Sequence, residues 1–221
     1  MRKLLLVLII VMTGLTAFAQ NKFNGTVNFN IEYKGDNVGM FASMLPNKQV
    51  YSYSEGNFKL EMTGGMASGQ ANVLHQAKEG KTYIVNTSAK KAQEMEPSKT
   101  EKNTKVSITE TGEKADILGY ACDKYKVEIQ TDKGSITQYI YATKALQPVV
   151  PKNVANLEGM AAFTDKIKGL PLKIEMQLNQ GGINISMIMT ATSIKEGDPG
   201  NIFTIPADYT VEPFDAKTLG R

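Results

Sequence analysis

The chain has 221 residues, a formal net charge of +3, one histidine and one cysteine. One cysteine and one histidine cannot supply a zinc ligand set or a framework of intramolecular disulfides, and we expect neither a metal nor a cofactor. Arg2 and Lys3 carry two of the three net positive charges, and the near-neutral remainder excludes a general electrostatic attraction to nucleic acid.

The first 19 residues predict a secretory signal peptide. Two basic residues precede the apolar run 4–12, and Ala17-Phe18-Ala19 supplies the small residues that a signal peptidase requires. This run is shorter than the about 20 residues that cross a bilayer, so a cleaved signal is favoured over a membrane anchor. Cleavage between Ala19 and Gln20 leaves a single domain, residues 20–221, in the periplasm or outside the cell. We expect no lipid anchor, since no cysteine follows the cleavage site, and no transmembrane segment in the mature chain.

Alternation of apolar and polar residues predicts strands along the rest of the chain. The clearest runs are 23–34, 170–178 and 183–191, and Gly181-Gly182 joins the last two as an antiparallel hairpin. Shorter candidates are 50–54, 58–63, 72–78, 82–86, 105–110, 123–130 and 135–142. Short connections between nine or ten strands favour antiparallel meanders over βαβ units.

Three segments depart from this pattern. Residues 151–167 show helical spacing and predict one amphipathic helix. Residues 38–46 are apolar but too short to assign, and the charged stretch 88–105 predicts an exposed, mobile loop. The expected fold class is mainly β (α+β): a strongly curved antiparallel sheet or half-barrel with one or few helices over its concave apolar face.

Groups that could perform catalysis are sparse. His75 and Cys122 would have to meet in space to form a dyad, and a surface or edge position is expected for His75. Gly80-Lys81-Thr82 resembles the end of a phosphate-binding loop, but His75 stands where that motif requires its first glycine, and a strand follows. The acidic residues are scattered, so we expect a protein without enzymatic activity.

Nine of the 11 methionines follow residue 19. Their flexible thioethers suit surfaces that accommodate variable apolar partners. Two interpretations remain open, because periodicity shows burial without showing whether the space is filled: a methionine-rich core, or a cavity for a lipid or acyl chain. The candidate lining residues are Met40, Phe41, Met44, Met62, Met160, Met176, Met187 and Met189.

The cysteine lies where the alternation changes phase. Leu118, Tyr120 and Cys122 share one strand parity, whereas Tyr125 and the apolar residues after it share the other. A regular strand cannot bury both sets against one core, so we predict a bulge or bend near residues 122–124 that turns the thiol inward. A buried structural thiol is favoured over a reactive one, and an intermolecular disulfide remains an alternative.

Three short motifs carry a family resemblance: FNGTVNF at 23–29, ILGYACDKY at 117–125 and FTIPADYTV at 203–211. With these motifs the chain resembles a family of exported bacterial proteins of unknown function that is common in the Bacteroidetes. That family is similar in fold to the periplasmic carriers of outer-membrane lipoproteins, which implies a half-barrel with helices over its apolar face. Asp208 stands where the closing motif of the family usually has glycine. The motifs imply structural roles for Gly119, Tyr120, Cys122, Tyr125, Pro206 and Tyr209.

Two functions are consistent with these features. The first is a periplasmic binding or carrier protein that holds an apolar ligand, a lipid or a lipoprotein acyl chain, in the concavity of the sheet. The alternative is an interaction or structural module of the cell envelope, which has a filled core and a protein partner.

Overall fold

A computed structural model describes residues 22–35, 38–41, 43–66, 68–70, 72–96, 105–131, 134–149, 166–180 and 183–214. Fourteen strands and one short helix lie in these residues. In chain order they are β1 (Lys22–Phe23), β2 (Gly25–Gly35), α1 (Val38–Phe41), β3 (Lys48–Ser54), β4 (Asn57–Thr63), β5 (Asn72–Gln76), β6 (Lys81–Asn86), β7 (Lys91–Met95), β8 (Lys105–Ile117), β9 (Tyr120–Thr131), β10 (Gly134–Thr143), β11 (Gln147–Pro148), β12 (Leu170–Gln180), β13 (Ile183–Glu196) and β14 (Thr210–Pro213).

Twelve of the strands form one large mixed sheet in the order β14-β7-β6-β5-β4-β3-β2-β13-β12-β10-β9-β8. Strands β2 to β7 make one antiparallel meander, and β8, β9, β10, β12 and β13 make a second. The two meanders join where β2 pairs with β13, also antiparallel. β14 adds to β7 in parallel, and β1 pairs with β11 in parallel as a separate two-stranded sheet. The expected mainly-β class is confirmed, with a mixed rather than purely antiparallel sheet.

Period-two alternation gives this sheet one continuous apolar face. On β2, Val27, Phe29 and Ile31 are buried on one side, while Thr26 and Asn28 lie on the other side, the outer face. Cross-strand partners extend the apolar face in both directions, so that one hydrophobic cluster reaches from β4 to β9. Its other buried members on the strands of the large sheet are Tyr51, Tyr53, Phe58, Leu60, Cys122, Tyr125, Val127, Ile140, Ala142, Leu170, Leu172, Ile174, Met189 and Ala191.

The small sheet of β1 and β11 closes one end of the apolar face. Phe23 packs edge to face on Tyr53, with ring centroids 5.9 Å apart. Leu146 and Ile167 are buried in the same cluster. Val149 reaches the turn between β3 and β4, where a Cβ placed on Gly56 would lie 3.7 Å from its Cγ1. The segment after β10 therefore crosses from the second meander to the first and seals this closed end.

A second hydrophobic cluster lies on the outer face of the first meander. The segment 202–209, which we name the C-terminal strap, carries Phe203 onto β5, β6 and β7. The Gln76 side chain donates a hydrogen bond to the Phe203 carbonyl at 2.9 Å, and Lys90 pairs with Asp208 at 2.8 Å. The buried partners of Phe203 in this cluster are Leu74, Tyr83, Val85 and Ala92. Strand β5 is consequently covered on both faces.

Both edges of the large sheet resist pairing with a further strand. β8 exposes Thr109 to Lys114, a charged stretch that also holds a register irregularity opposite β9. β14 has only four residues and ends at Pro213, which lacks a backbone donor. Charge, irregular register, short length and proline are the usual means by which sheets avoid edge-to-edge association.

The ten strands expected from alternation all correspond to strands of the structure, whereas β7, β11 and β14 were not predicted and β1 was not predicted as a separate strand. The expectation of an exposed loop over residues 88–105 is wrong for Lys91–Met95, because these residues form β7 and bury Ala92 and Met95. The predicted helix 151–167 falls almost entirely outside the described residues, and segment 38–46 contains the four-residue helix α1. Among the residues described, no helix is long and apolar enough to cross a membrane.

Candidate functional site at the methionine end

Side chains on the apolar face line up in rows across the second meander and β2. In the central row, Tyr125, Ile140, Ile174, Met189 and Ile31 are successive cross-strand partners. All five are less than 8 % exposed. This row is ordinary hydrophobic core, because each side chain is enclosed by its neighbours on adjacent strands.

The next row, farther from the closed end, differs in composition and exposure. Gln138, Met176, Met187 and Tyr33 are successive partners on β10, β12, β13 and β2, and we call them the methionine strip. Gln138 is 9 % exposed, whereas the other three side chains are only half-buried. The row beyond it includes Ile136 and Ile185, which are also half-buried. Burial thus decreases from the closed end towards this methionine end.

Two hydrogen bonds fix the polar atoms of the methionine strip. The Gln138 amide Nε2 donates to the Met176 Sδ at 3.4 Å. The Tyr33 hydroxyl donates to the Pro46 carbonyl at 2.9 Å, which ties the end of β2 to the segment after α1. Partial burial raises the pKa of Tyr33, so this hydroxyl stays neutral at physiological pH. The strip therefore presents two thioethers and neutral polar groups.

The structure brings together four of the predicted lining residues and separates one. Met189 lies fully in the main hydrophobic cluster, Met62 and Met187 pack against that cluster, and Met176 is the cross-strand partner of Met187. Met44 lies apart, 49 % exposed in the turn after α1. Met40 and Phe41 belong to α1, and Met160 lies outside the described residues.

Sequence reasoning missed Gln138 and Tyr33. A signal for Gln138 was present, since it is the polar residue on the parity of Ile136, Ile140 and Ala142 in β10. Tyr33 lies on the apolar parity of β2, where an aromatic residue looks like ordinary core. Only the strand register, which aligns both residues with Met176 and Met187, shows that they form one row.

Cys122 is fully buried, as the alternation predicted. Burial, with a smaller contribution from the carboxylates of Asp116 and Asp123, raises the pKa of its thiol to about 11. The Sγ donates to the Tyr120 carbonyl at 3.4 Å. The predicted irregularity is present at this level, but its extra residues lie on β8, where three residues face Lys124 alone. A thiol held protonated in this way is a poor nucleophile.

His75 is buried at 3 % exposure, so the expectation of a surface or edge position is wrong. It lies on the apolar face of β5, directly opposite Phe58, and its Nδ1 is 2.9 Å from the Thr82 Oγ1. Desolvation lowers the pKa of the ring and keeps it neutral. β5 and β9 are seven positions apart in the strand order, so His75 and Cys122 are not neighbours within the sheet.

The remaining residues named by the motif resemblance occupy structural positions. Gly119 has a φ of 80° and, with Leu118 at 56°, forms the two-residue turn that connects β8 to β9. Such turns require positive φ at both central residues. The Tyr120 hydroxyl donates to Glu196 at 3.3 Å, and Tyr125 is buried in the core. Pro206 accepts a hydrogen bond from the Tyr209 backbone amide at 3.0 Å, which turns the strap back towards β14.

Charged side chains lie mainly in solvent-exposed pairs. On the outer face, Lys124 pairs with Glu113 at 2.7 Å and Lys173 with Glu175 at 2.6 Å. Both ammonium groups also lie within 6 Å of the Tyr141 ring centroid. Within the described part of the chain, no three His, Cys, Asp or Glu side chains are grouped so that they could hold a metal ion. Ion pairs at the surface contribute little to stability, because solvent screens the attraction between the charges.

Comparison with known proteins supports the fold and identifies the family. A solved chain described as "Structure of PNGF-II in C2 space group" matches with a TM-score of 0.52 and 14% identity, covering 88% of this chain and 32% of that chain. The present chain therefore spans about a third of that protein, and a likeness at this identity concerns the fold alone. No curated protein matches. The family model for a domain of unknown function, DUF4412, matches residues 37–209, and the chain belongs to this family.

Proposed function

We propose that this chain is an exported, non-enzymatic binding or carrier protein that holds a lipid or another acyl chain on the apolar face of its sheet. The observation that carries the proposal is the gradient of burial along that face. One end is sealed by Phe23, Leu146 and Ile167, while Met176 and Met187 remain half-buried at the other. An apolar chain could enter at the methionine end and lie along the rows towards the core.

We further propose that the sheet curves strongly, so that the apolar face is concave. Open sheets rarely exceed about ten strands without curling, and this sheet has twelve. Register irregularities occur on three of its strands: on β8 opposite Lys124, on β12 at Leu172 and on β13 at Thr192. Extra residues of this kind bend a strand and increase its local twist.

Methionine suits such a site on physical grounds. Its unbranched, polarizable side chain can repack around ligands of different shape at low cost. Each ligand CH₂ that leaves water contributes about 0.8 kcal/mol, so a few buried carbons already give measurable affinity. The signal-like residues 1–19 and the resemblance to periplasmic lipoprotein carriers support a periplasmic location for residues 20–221.

The alternative, an interaction module of the cell envelope, has one specific observation in its favour. Met44 and Met66 are 49 % and 71 % exposed, and the Met66 backbone amide donates to the Ser43 carbonyl at 3.1 Å. Two adjacent loops thus present apolar side chains to solvent. A partner would therefore bind these loops rather than add a strand to the sheet. The edge strand β8 is charged and irregular and the edge strand β14 is short, and both features disfavour strand addition.

Native mass spectrometry of the protein purified after export from bacterial cells tests the proposal. We expect an additional mass that organic extraction releases as lipid. The matched variants are Met187→Gln, on the apolar face, and Ile188→Gln, the next residue of the same strand on the outer face. Loss of part of an apolar contact should lower occupancy about fivefold in the first variant and leave it unchanged in the second.

Circular dichroism spectra of both variants should first match that of wild type, so that only folded proteins are compared for lipid occupancy. A uniformly ligand-free wild-type mass with no extractable lipid would contradict the proposal. Equal loss of lipid in both variants would place the lipid elsewhere on the protein.

A further inference from the structure

The methionine strip contains one deeply buried polar side chain, Gln138. Its neighbours on the apolar face are Val127 and Met176 across the strands and Ile136 and Ile140 along β10. All four are apolar, and Gln138 itself is 9 % exposed. A buried amide normally satisfies its donors with oxygen acceptors, because an unsatisfied one is costly.

The hydrogen bond that Gln138 makes to Met176 is a weak one. A thioether sulfur is a poor acceptor. Other polar groups on the apolar face donate to oxygen: the Tyr33 hydroxyl to the Pro46 carbonyl at 2.9 Å, and the Tyr51 hydroxyl to Gln49 at 2.8 Å. A ligand oxygen atom could thus replace the Met176 sulfur as the acceptor for the Gln138 amide at little cost.

We propose that Gln138 recognises a neutral carbonyl oxygen of the ligand, so that the methionine strip binds acyl esters or amides in preference to plain hydrocarbons. This inference rests on the proposed function, since it requires an apolar ligand at the strip. In the bound state the Gln138 Nε2 turns from the Met176 sulfur to the ligand carbonyl, and the chain beyond that carbonyl packs along Met187 and the central row. The surroundings of Gln138 select a neutral group, because an ionised carboxylate loses its hydration among these apolar side chains.

The test compares two probes of similar length, methyl decanoate and dodecane, as competitors of the neutral fluorescent probe 1-N-phenylnaphthylamine. Wild type is compared with Gln138→Met, which removes the amide while keeping the length of the side chain. The matched control is Gln177→Met, an exposed glutamine of β12 on the outer face. One net hydrogen bond predicts that the ratio of ester to alkane affinity falls about fivefold in Gln138→Met and stays constant in the control.

The possible results are distinct. If neither probe displaces the fluorophore from wild type, the proposed function fails and this inference fails with it. If both probes bind but Gln138→Met retains the wild-type ratio, the inference alone is overturned and apolar binding stands. If the ratio of ester to alkane affinity falls equally in the Gln177→Met control, the inference about Gln138 is also overturned.

A measurement on wild type covers the case in which Gln138→Met does not fold. The side-chain amide protons of Gln138 should move downfield in the ¹⁵N-resolved spectrum when methyl decanoate binds, because an oxygen acceptor replaces sulfur. Dodecane should leave them near their unbound positions. Identical shifts with the two probes would count against recognition of the carbonyl.

Discussion

The Nδ1 of His75 lies 2.9 Å from the Oγ1 of Thr82 across strands β5 and β6, and both side chains are buried. Thr82 is also the direct cross-strand partner of His75. The pair sits on the apolar face, next to Phe58, where a charged imidazolium would lose its hydration. The arrangement holds the histidine neutral, and it makes the stability of the fold sensitive to acid.

We expect stability to fall as the pH decreases through the ordinary titration range of histidine. The folded-state pKa of His75 is lowered, so the unfolded chain takes up a proton first, from about pH 6.5 downwards. The stabilisation of the fold by neutral His75 is complete above that pH. It is lost progressively as the pH falls towards the lower pKa that His75 has in the folded state. Urea midpoints measured at about pH 7.5 and about pH 5 should differ by more in wild type than in His75→Gln.

The glutamine variant keeps a hydrogen-bonding group beside Thr82 but does not titrate. Asp123 and Asp208, whose pKa values are lowered by Lys144 and Lys90, remain ionised over this interval and do not contribute to the difference. An identical pH dependence in the two proteins would show that His75 is not the responsible group.

Cys122 should resist thiol reagents in the folded protein. Raising its pKa from 9.0 to about 11 lowers the thiolate fraction roughly 100-fold near pH 8, and burial adds a steric barrier. The rate of reaction with a chromogenic disulfide reagent should therefore be at least about 100-fold slower in the native protein than in urea. Labelling of the native protein within the mixing time would indicate an accessible, reactive thiol instead.

Leu118 should be replaceable with a gain in stability. It has a φ of 56° in the turn between β8 and β9, and it is 46 % exposed, so it makes few contacts that could offset its strain. A left-handed conformation costs a branched residue about 1–2 kcal/mol, and asparagine tolerates it better. Leu118→Asn should raise the free energy of unfolding by about 1 kcal/mol in urea titrations. Leu118→Ala serves as the control, because alanine keeps the strain, and equal stability of the two variants would refute the explanation.

Gly169 should tolerate no side chain. It precedes β12 with a φ of +104°, and an added Cβ would be placed against the carbonyl of Thr143. Gly197 has a similar φ of +116° but nothing within 4 Å of the corresponding position. Gly169→Ala should therefore lose at least about 2 kcal/mol more than Gly197→Ala in the free energy of unfolding. Equal losses would mean that backbone strain alone, without the clash, determines both.

The strands with the clearest alternation in the sequence are strands with one covered face. β2, β12 and β13 alternate, with Ile188 as the one large apolar residue on the outer parity of β13, and their apolar parities face the hydrophobic cluster. β7 was missed because its buried positions are Ala92 and Met95 among charged neighbours. The burial of Ala92 depends on Phe203, far along the chain, whereas Met95 lies opposite Thr82 on the other face. His75 was misplaced for a related reason: the strap covers β5 from the other side, so Leu74 and His75 are both buried.

The candidate site was predictable as a set of residues but not as an arrangement. Period two correctly placed Met176, Met187 and Met189 on one face of the sheet. It could not show that Met189 belongs to the buried central row while Met187 belongs to the half-buried one. That distinction depends on the register between strands, which the irregularities at Leu172 and Thr192 shift by one residue each. Such shifts have no reliable signature in a single sequence.

The seam between β2 and β13 has a consequence for folding kinetics. It pairs residues 25–35 with residues 185–196, so nearly the whole described chain must be present before it can close. Contacts of such long sequence separation pay a large loop-closure entropy, and proteins dominated by them fold in about milliseconds to seconds rather than microseconds. Until that moment each meander has an unpaired apolar edge that is prone to aggregation. The methionine strip crosses this seam from Met187 to Tyr33, so the candidate binding site comes into existence only in the step that unites the two halves.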